Sequence, residues 1–414
     1  MRNLFFAIFA VTAFTQCDSN SDDHKTIFGD PISIELTSTE RQIVDEGLSF
    51  SMKLFSEVLK ESGGADNVIV SPLSLNIALA MVWNGADGDT RDAIQEAIGM
   101  SRFPADEVNA YFKKLTEALL KTDPSTKLAL ANSIWANKAF PFKQTFYDLN
   151  SAWYDAKVSV LDFSDASTPT VINNWCSDNT NGLIKEMITE IPADAIMYLL
   201  NALYFKGIWS DGAGFVKKDT KDEPFQKSDG KSVTVSMMSQ HSIQLCFADE
   251  KLSLAALPYG NGAFRMVFIL PASGTVEELA EQLTEDGYLA SCLENAYSYD
   301  LNLYIPKFKI EYEADMNAPL KALGMEIAFD MDKADFTGMS DLRGVYISKV
   351  KQKAYIDVNE EGTEAAAVTS VEMSFTSAGP TTPRTFRADR PFIYLIQETS
   401  TGVILFAGKT GEPK

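Results

Sequence analysis

Apolar residues recur along this chain with two different periods, and the way the periods alternate outlines the fold. Leu48, Met52, Phe55, Val58 and Leu59 keep helical spacing, which predicts an amphipathic helix over 44–62. Gly63-Gly64 ends it. Residues 68–70 form a short apolar strand. Ser71-Pro72 then opens a helix to about residue 83, with Ser as the cap and Pro in the first turn. Further helices are predicted over 90–98, 105–120, from 168 past 175, and over 276–283. Strand patterns occupy 127–135, 301–305 and 354–358. The run 197–204 is apolar enough to be a central strand. Tyr259-Gly260-Asn261-Gly262 joins 254–258 to 265–270 as a hairpin, and Thr401-Gly402 joins 392–397 to 403–406 as another. Helices dominate early and strands late, with no βαβ rhythm. The fold class is therefore α+β.

One stretch changes character along its length. It begins as the strand 354–358, passes through Glu360-Glu361-Gly362, and becomes a run of small residues ending in a Ser/Thr/Pro-rich loop. From Thr363 onward one face would carry Thr363, Ala365, Ala367, Thr369, Val371 and Met373. The other would carry Glu364, Ala366, Val368, Ser370 and Glu372. As a strand, this segment would have one small or apolar face and one partly charged face. Such side chains would let it enter a crowded sheet without overpacking. Taken alone, the same composition also fits a surface loop.

Composition narrows the possibilities. The chain has 414 residues, of which 45% are hydrophobic, ample for a large core. No linker or internal repeat interrupts 45–373, so one large domain is expected. With 57 acidic against 36 basic residues the net charge is −21. No cluster of Lys and Arg with interleaved aromatics occurs, which disfavours nucleic-acid binding.

The N-terminus has its own pattern. Met1-Arg2-Asn3 is a short basic start, and the apolar run from Leu4 to Phe14 is too short to span a membrane. Thr15-Gln16-Cys17 and the acidic cluster Asp18 to Asp23 follow. This resembles a bacterial lipoprotein signal with Cys17 as the lipidated residue, although Gln16 is larger than is usual there. The implied division is a signal peptide over 1–16, a polar tether over 17–44 and a folded domain over 45–414. Export is expected, to the outer membrane or cell surface as a lipoprotein, or to the periplasm or medium. Membrane contact is expected only through the lipid anchor. Cys176, Cys246 and Cys292 have no metal-type spacing and are expected as separate buried thiols.

Enzymatic chemistry finds little support. The only histidines are His24, in the tether, and His241. There is no Gly-x-Ser-x-Gly elbow, no His-Glu-x-x-His and no phosphate-cradling glycine loop. Nothing calls for a metal or a small-molecule cofactor.

Glu360-Glu361-Gly362-Thr363-Glu364-Ala365-Ala366-Ala367 resembles the hinge of the reactive-centre loop of serpins. Phe386 to Phe392, together with Thr401 to Lys409, resembles the C-terminal signature of that family. Asn67 to Leu75, Asn179 to Ile184, Leu200 to Trp209 and Pro306-Lys307-Phe308 resemble further serpin segments. The likeness runs from about residue 45 to the end. It implies three β-sheets surrounded by eight or nine helices, with an exposed reactive-centre loop at about 360–385. It also implies a suicide inhibitor of proteases. The attacking enzyme forms an acyl-enzyme on the loop, and the cut loop inserts into the main sheet before deacylation.

The resemblance also assigns residues. The hinge is Glu360, Gly362, Thr363, Ala365, Ala366, Ala367 and Thr369. The residue before the scissile bond is the seventeenth counted from Glu360, which gives Thr376 with the cut before Ser377; Phe375 and Met373 are alternatives. Elastase-, chymotrypsin-, subtilisin- or papain-like proteases fit as targets. Arg384 lies too near the following strand for a trypsin-like target. Ser71, Ser74 and Asn201 match the polar cluster beneath the sheet opening, with Gln352 where the family often has a histidine. Trp209 matches the aromatic where the loop first enters the sheet. The molecule is expected as a monomer. The competing expectation is a serpin-fold binding module or cleavable decoy that does not inhibit.

Overall fold

Two hydrogen-bonded networks of strands organise the molecule. The computed structural model describes residues 28–192, 195–363 and 383–414. In chain order the strands are β1 (Asn67–Val70), β2 (Lys127–Asn137), β3 (Lys157–Leu161), β4 (Met197–Ile208), β5 (Lys221–Gln226), β6 (Ser232–Ala248), β7 (Leu252–Tyr259), β8 (Phe264–Pro271), β9 (Tyr297–Pro306), β10 (Phe308–Asp315), β11 (Lys349–Asn359), β12 (Gly362–Thr363), β13 (Arg384–Arg387), β14 (Phe392–Glu398) and β15 (Ile404–Thr410). The helices among the described residues are α1 (Ser38–Glu61), α2 (Pro72–Trp83), α3 (Gly88–Ala97), α4 (Ala105–Leu119), α5 (Gln144–Tyr154), α6 (Thr168–Asn179), α7 (Val276–Gln282), α8 (Tyr288–Glu294) and α9 (Asn317–Leu320). This is the α+β architecture expected, with nine α-helices among the described residues.

The six-stranded sheet runs β10-β11-β12-β4-β2-β3. The nine-stranded one runs β1-β15-β14-β8-β7-β6-β9-β13, with β5 on β6. The expected second and third sheets are continuous because β6 serves both. It pairs with β7 through Leu245–Ala248 and with β9 through Met237–Cys246.

Local chemistry explains the central elements. All twelve residues of α2 are buried, so the helix lies in the core rather than on its surface. The Ser71 side chain accepts from the Ser74 N–H and caps it, as its sequence predicts. Along β11 the burial alternates strictly, with Ala354, Ile356 and Val358 inward.

Two expectations need correction. Helix α1 starts at Ser38, so residues 38–44 belong to a helix and not to the polar tether. The cause is a capping box: the Thr37 hydroxyl accepts from the Glu40 N–H, and the Glu40 carboxylate accepts from the Thr37 N–H. Upstream, Ile34 is buried and its N–H donates to Ser400 Oγ, so this part of the tether is docked too. Strand β5 (Lys-Asp-Glu-Pro-Phe-Gln) was not anticipated. It carries one buried side chain, Phe225, and its charges suit a strand at the margin of a sheet.

Candidate functional site: an opening in the six-stranded sheet

The site is built around two parallel neighbours, β4 and β11. They pair only where Lys349–Gln352 meets Tyr198–Asn201. At the far end, β12 lies between them, with Thr363 opposite both Val358 and Gly207. Between these zones, residues 353–357 and 202–206 form no ladder with each other. Among the described residues, the sheet is closed at both ends and open in its middle. Two facing strand segments that do not pair with each other are a template for another strand.

The hinge already occupies the upper end of that opening. Thr363 is 1% exposed, and its Oγ1 lies 2.7 Å from the Tyr259 hydroxyl. This is the inward position that the period-two pattern gives it. Gly362 has φ +142°, a region where a side chain is strained, and a Cβ there would collide with the Gly207 carbonyl oxygen. Gly207 is itself crowded, since a Cβ would come 2.9 Å from the Tyr259 ring. These two glycines let the hinge backbone pass beside β4.

Trp209 closes the top. Its ring stacks on Tyr259 with centroids 4.4 Å apart. Its backbone N–H donates to the Glu361 carbonyl, and its Nε1–H donates to the Asn359 carbonyl, both at 3.0 Å. The aromatic pair thus holds the turn between β11 and β12 by main-chain atoms. Burial pushes the Tyr259 hydroxyl pKa up, with the Thr363 hydrogen bond opposing it in part. Tyr259 is therefore neutral here, and able to donate or accept.

Two carboxylates pin the turn from outside. Glu360 is 5% exposed. It accepts from Thr220 Oγ1 at 2.9 Å and pairs with Lys307 Nζ at 3.0 Å. Burial alone would raise its pKa. Its own backbone N–H, Lys307 and Thr220 more than offset that and hold the carboxyl below its ordinary value. Glu361 pairs with Lys217 at 2.6 Å, and the hydrogen bond raises the lysine pKa.

The lower end of the opening is polar and buried. Gln352, 2% exposed, accepts from the Ser71 N–H at 2.7 Å and donates to the Ser71 carbonyl at 2.9 Å. One side-chain amide thus satisfies both main-chain groups of the residue that caps α2. Ser74 Oγ donates to Asn132 Oδ1 at 3.4 Å. In the ladders Asn201 stands opposite both Gln352 and Asn132. Ser71, Ser74, Gln352 and the backbone of Asn201 therefore meet where β4 and β11 close.

Comparison with known proteins places this geometry. The model of the family described as "Serpin (serine protease inhibitor)" matches residues 46–413. The chain belongs to the serpin family. It is 33% identical to human Serpin B11 over 390 residues, covering 88% of this chain and 98% of that one. It is 33% identical to human leukocyte elastase inhibitor over 384 residues, covering 90% and 100%. The native-state crystal structure of the thermophilic serpin tengpin superposes with TM-score 0.83 at 32% identity, covering 93% of this chain and 97% of that chain. The protein is thus a protease inhibitor by family and not an enzyme.

Not every serpin position that the sequence singles out can be located. Ala365, Ala366, Ala367, Thr369, Met373, Phe375, Thr376, Ser377 and Cys17, with the signal peptide, lie outside the described residues. Cys176, Cys246 and Cys292 are separate buried thiols. His241 is exposed on β6 beside Asp300, Nε2 to Oδ1 2.6 Å. The sequence reading missed Tyr259, Thr220, Lys217, Lys307 and Asn132. Tyr259 was visible only as the start of a hairpin turn, and the others are ordinary polar residues far from the hinge in sequence.

Proposed function

We propose that this serpin traps its target as an acyl-enzyme by inserting the cut loop into the open middle of the six-stranded sheet. The observation that carries this reading is the opening itself, flanked by β4 and β11, with Thr363 seated at its upper end. Each ladder bond gained on insertion is worth about 1 kcal/mol net. Burial of the small inward face adds to this, and residues 364–373 offer that face without a proline. Insertion must outrun deacylation. The seated hinge supports a fast start, because the first pairs on both flanking strands already exist.

The target is a serine protease of elastase-, chymotrypsin- or subtilisin-like preference, or a papain-like cysteine protease. The bond cut is that between Thr376 and Ser377, with Phe375 or Met373 as alternative specificity residues. The name of the leukocyte elastase inhibitors among its relatives favours the elastase-like class. The protein acts as a monomer, exported and tethered at a bacterial surface through Cys17. The apolar stretch from Leu4 to Phe14 followed by Cys17 supports that placement.

The deciding experiment mixes the chain from residue 18 with elastase, chymotrypsin, subtilisin and papain. A covalent complex surviving denaturing electrophoresis, with the released C-terminal peptide starting between 374 and 381, is expected. Clean cleavage by every enzyme with no complex would overturn inhibition in favour of a decoy or binding module. Thyroxine-binding globulin, whose complex with thyroxine superposes with TM-score 0.82 at 27% identity, is a binding protein on this same fold.

A further inference from the structure

The far anchor of the loop carries a surface that the insertion mechanism does not use. Strand β13 runs parallel to β9, with Arg384 opposite Leu301 and Arg387 opposite Tyr304. Because the strands are parallel, residues of β9 before Leu301 lie beyond the N-terminal end of β13. That is the end at which the loop arrives. Tyr299 and Tyr297 occupy these positions, on the same face as Leu301.

Their exposure differs from that of the rest of the strand. Leu301, Leu303 and Ile305 are buried, while Tyr299 is half-buried and Tyr297 is 62% exposed. Arg384 is exposed, and its guanidinium lies 3.5 Å from the centre of the Tyr299 ring. It also reaches the Cys246 thiol, whose pKa burial raises and the arginine partly lowers. The next arginine behaves differently. Arg387 pairs with Glu223 and with Asp389. Arg384 has no carboxylate partner among the described residues. It is a fixed cation, held flat by an aromatic ring, in a chain of net charge −21.

We propose that Arg384, Tyr299 and Tyr297 form an accessory docking surface for the target protease, matched to a carboxylate-bearing surface beside that protease's active-site cleft. This rests on the inhibitor reading above. The occupant follows from reach: Thr376 is eight residues from Arg384, so a protease on that bond lies within about 28 Å of the arginine even with the chain fully extended. A protease body is wider than that, so it overhangs this face. Tyrosine and arginine are the residues that most often dominate such contacts. A guanidinium stacked on a ring keeps its N–H edge free for a carboxylate while losing little side-chain freedom. In a chain of net charge −21, an exposed guanidinium with no carboxylate partner among the described residues also helps to orient a carboxylate-bearing partner toward this face.

The test uses chymotrypsin and elastase, each active and each inactivated by replacing its catalytic serine with alanine. Non-covalent binding of the inactive enzymes to the wild-type serpin, Arg384→Glu and Tyr297→Ala is measured at low and at 0.5 M salt. For at least one enzyme, Arg384→Glu should weaken binding and slow association by about tenfold at low salt, with the difference shrinking at high salt. Tyr297→Ala should weaken binding at both salt concentrations. The melting temperature should not change, since neither side chain is in the core. Equal binding of all three proteins by both enzymes, or no binding at all, overturns the surface. The active enzymes separate the two readings. If wild type binds the inactive enzyme through Arg384 but forms no covalent complex with the active one, the surface stands and inhibition falls.

Discussion

At the scale of single residues, function turns on how little room there is around the hinge. Thr363 fits between β4 and β11 because it is small and its hydroxyl finds Tyr259. Thr363→Arg places a long cation at a position that is 1% exposed, where burying a charge is costly. Slowing insertion by only about 1.4 kcal/mol shifts the partition between trapping and release tenfold. This variant should therefore be cut as a substrate, and full covalent trapping by it would refute the role given to the hinge. Gln352 offers a second test at the same scale. Gln352→Leu leaves the Ser71 N–H and carbonyl buried and unpaired, at a cost of about 2–4 kcal/mol. The melting temperature should drop by roughly 3–5 °C, which scanning calorimetry would show.

At the scale of elements, two short contacts set where chains start and turn. The Thr37–Glu40 capping box starts α1 six residues before the apolar periodicity does. Thr37→Ala should cost about 1 kcal/mol, read as a lower denaturant midpoint with unchanged inhibition. The turn between β11 and β12 depends on an ionised Glu360. A carboxyl held below its ordinary value stabilises the docked turn above the ordinary carboxylate range, and that contribution is lost as pH falls through the lowered value. Trp209 reports on this turn directly. Its fluorescence should change below about pH 4 ahead of global unfolding, and Glu360→Gln should remove that acid step. An unchanged acid transition in the variant would show that another group controls it.

At the scale of the whole molecule, the six-stranded sheet is incomplete among the described residues. Five residues of β4 and five of β11 face each other without a ladder. Filling that space with residues 364 onward joins the sheet into one uninterrupted network. Cleavage after Thr376 by a non-target protease should therefore raise the melting temperature by roughly 10 °C or more, in line with about ten new ladder bonds of about 1 kcal/mol each. A cleaved protein that melts where the intact one does would mean that the loop stays outside. The acidic surface bears on partners and solubility, and has no part in this internal energy difference.

Much of this was readable from the chain because it depends on periodicity and small local motifs. The helical spacing around Phe55, the Ser71-Pro72 start of α2 and the alternation along β11 each follow from side-chain direction and backbone geometry over a few residues. The placing of Thr363 inward belongs with them. Tertiary structure alone decided that β4 and β11 meet over four residues and then part, that Tyr259 and Trp209 stack over the hinge, and that Lys307, Thr220 and Lys217 converge on two glutamates from other elements. It also decided that Arg384 lies over the Tyr299 ring, with no carboxylate partner among the described residues. These facts join residues tens to hundreds of positions apart, and a partner at that distance is chosen by how whole sheets pack, which no local period encodes.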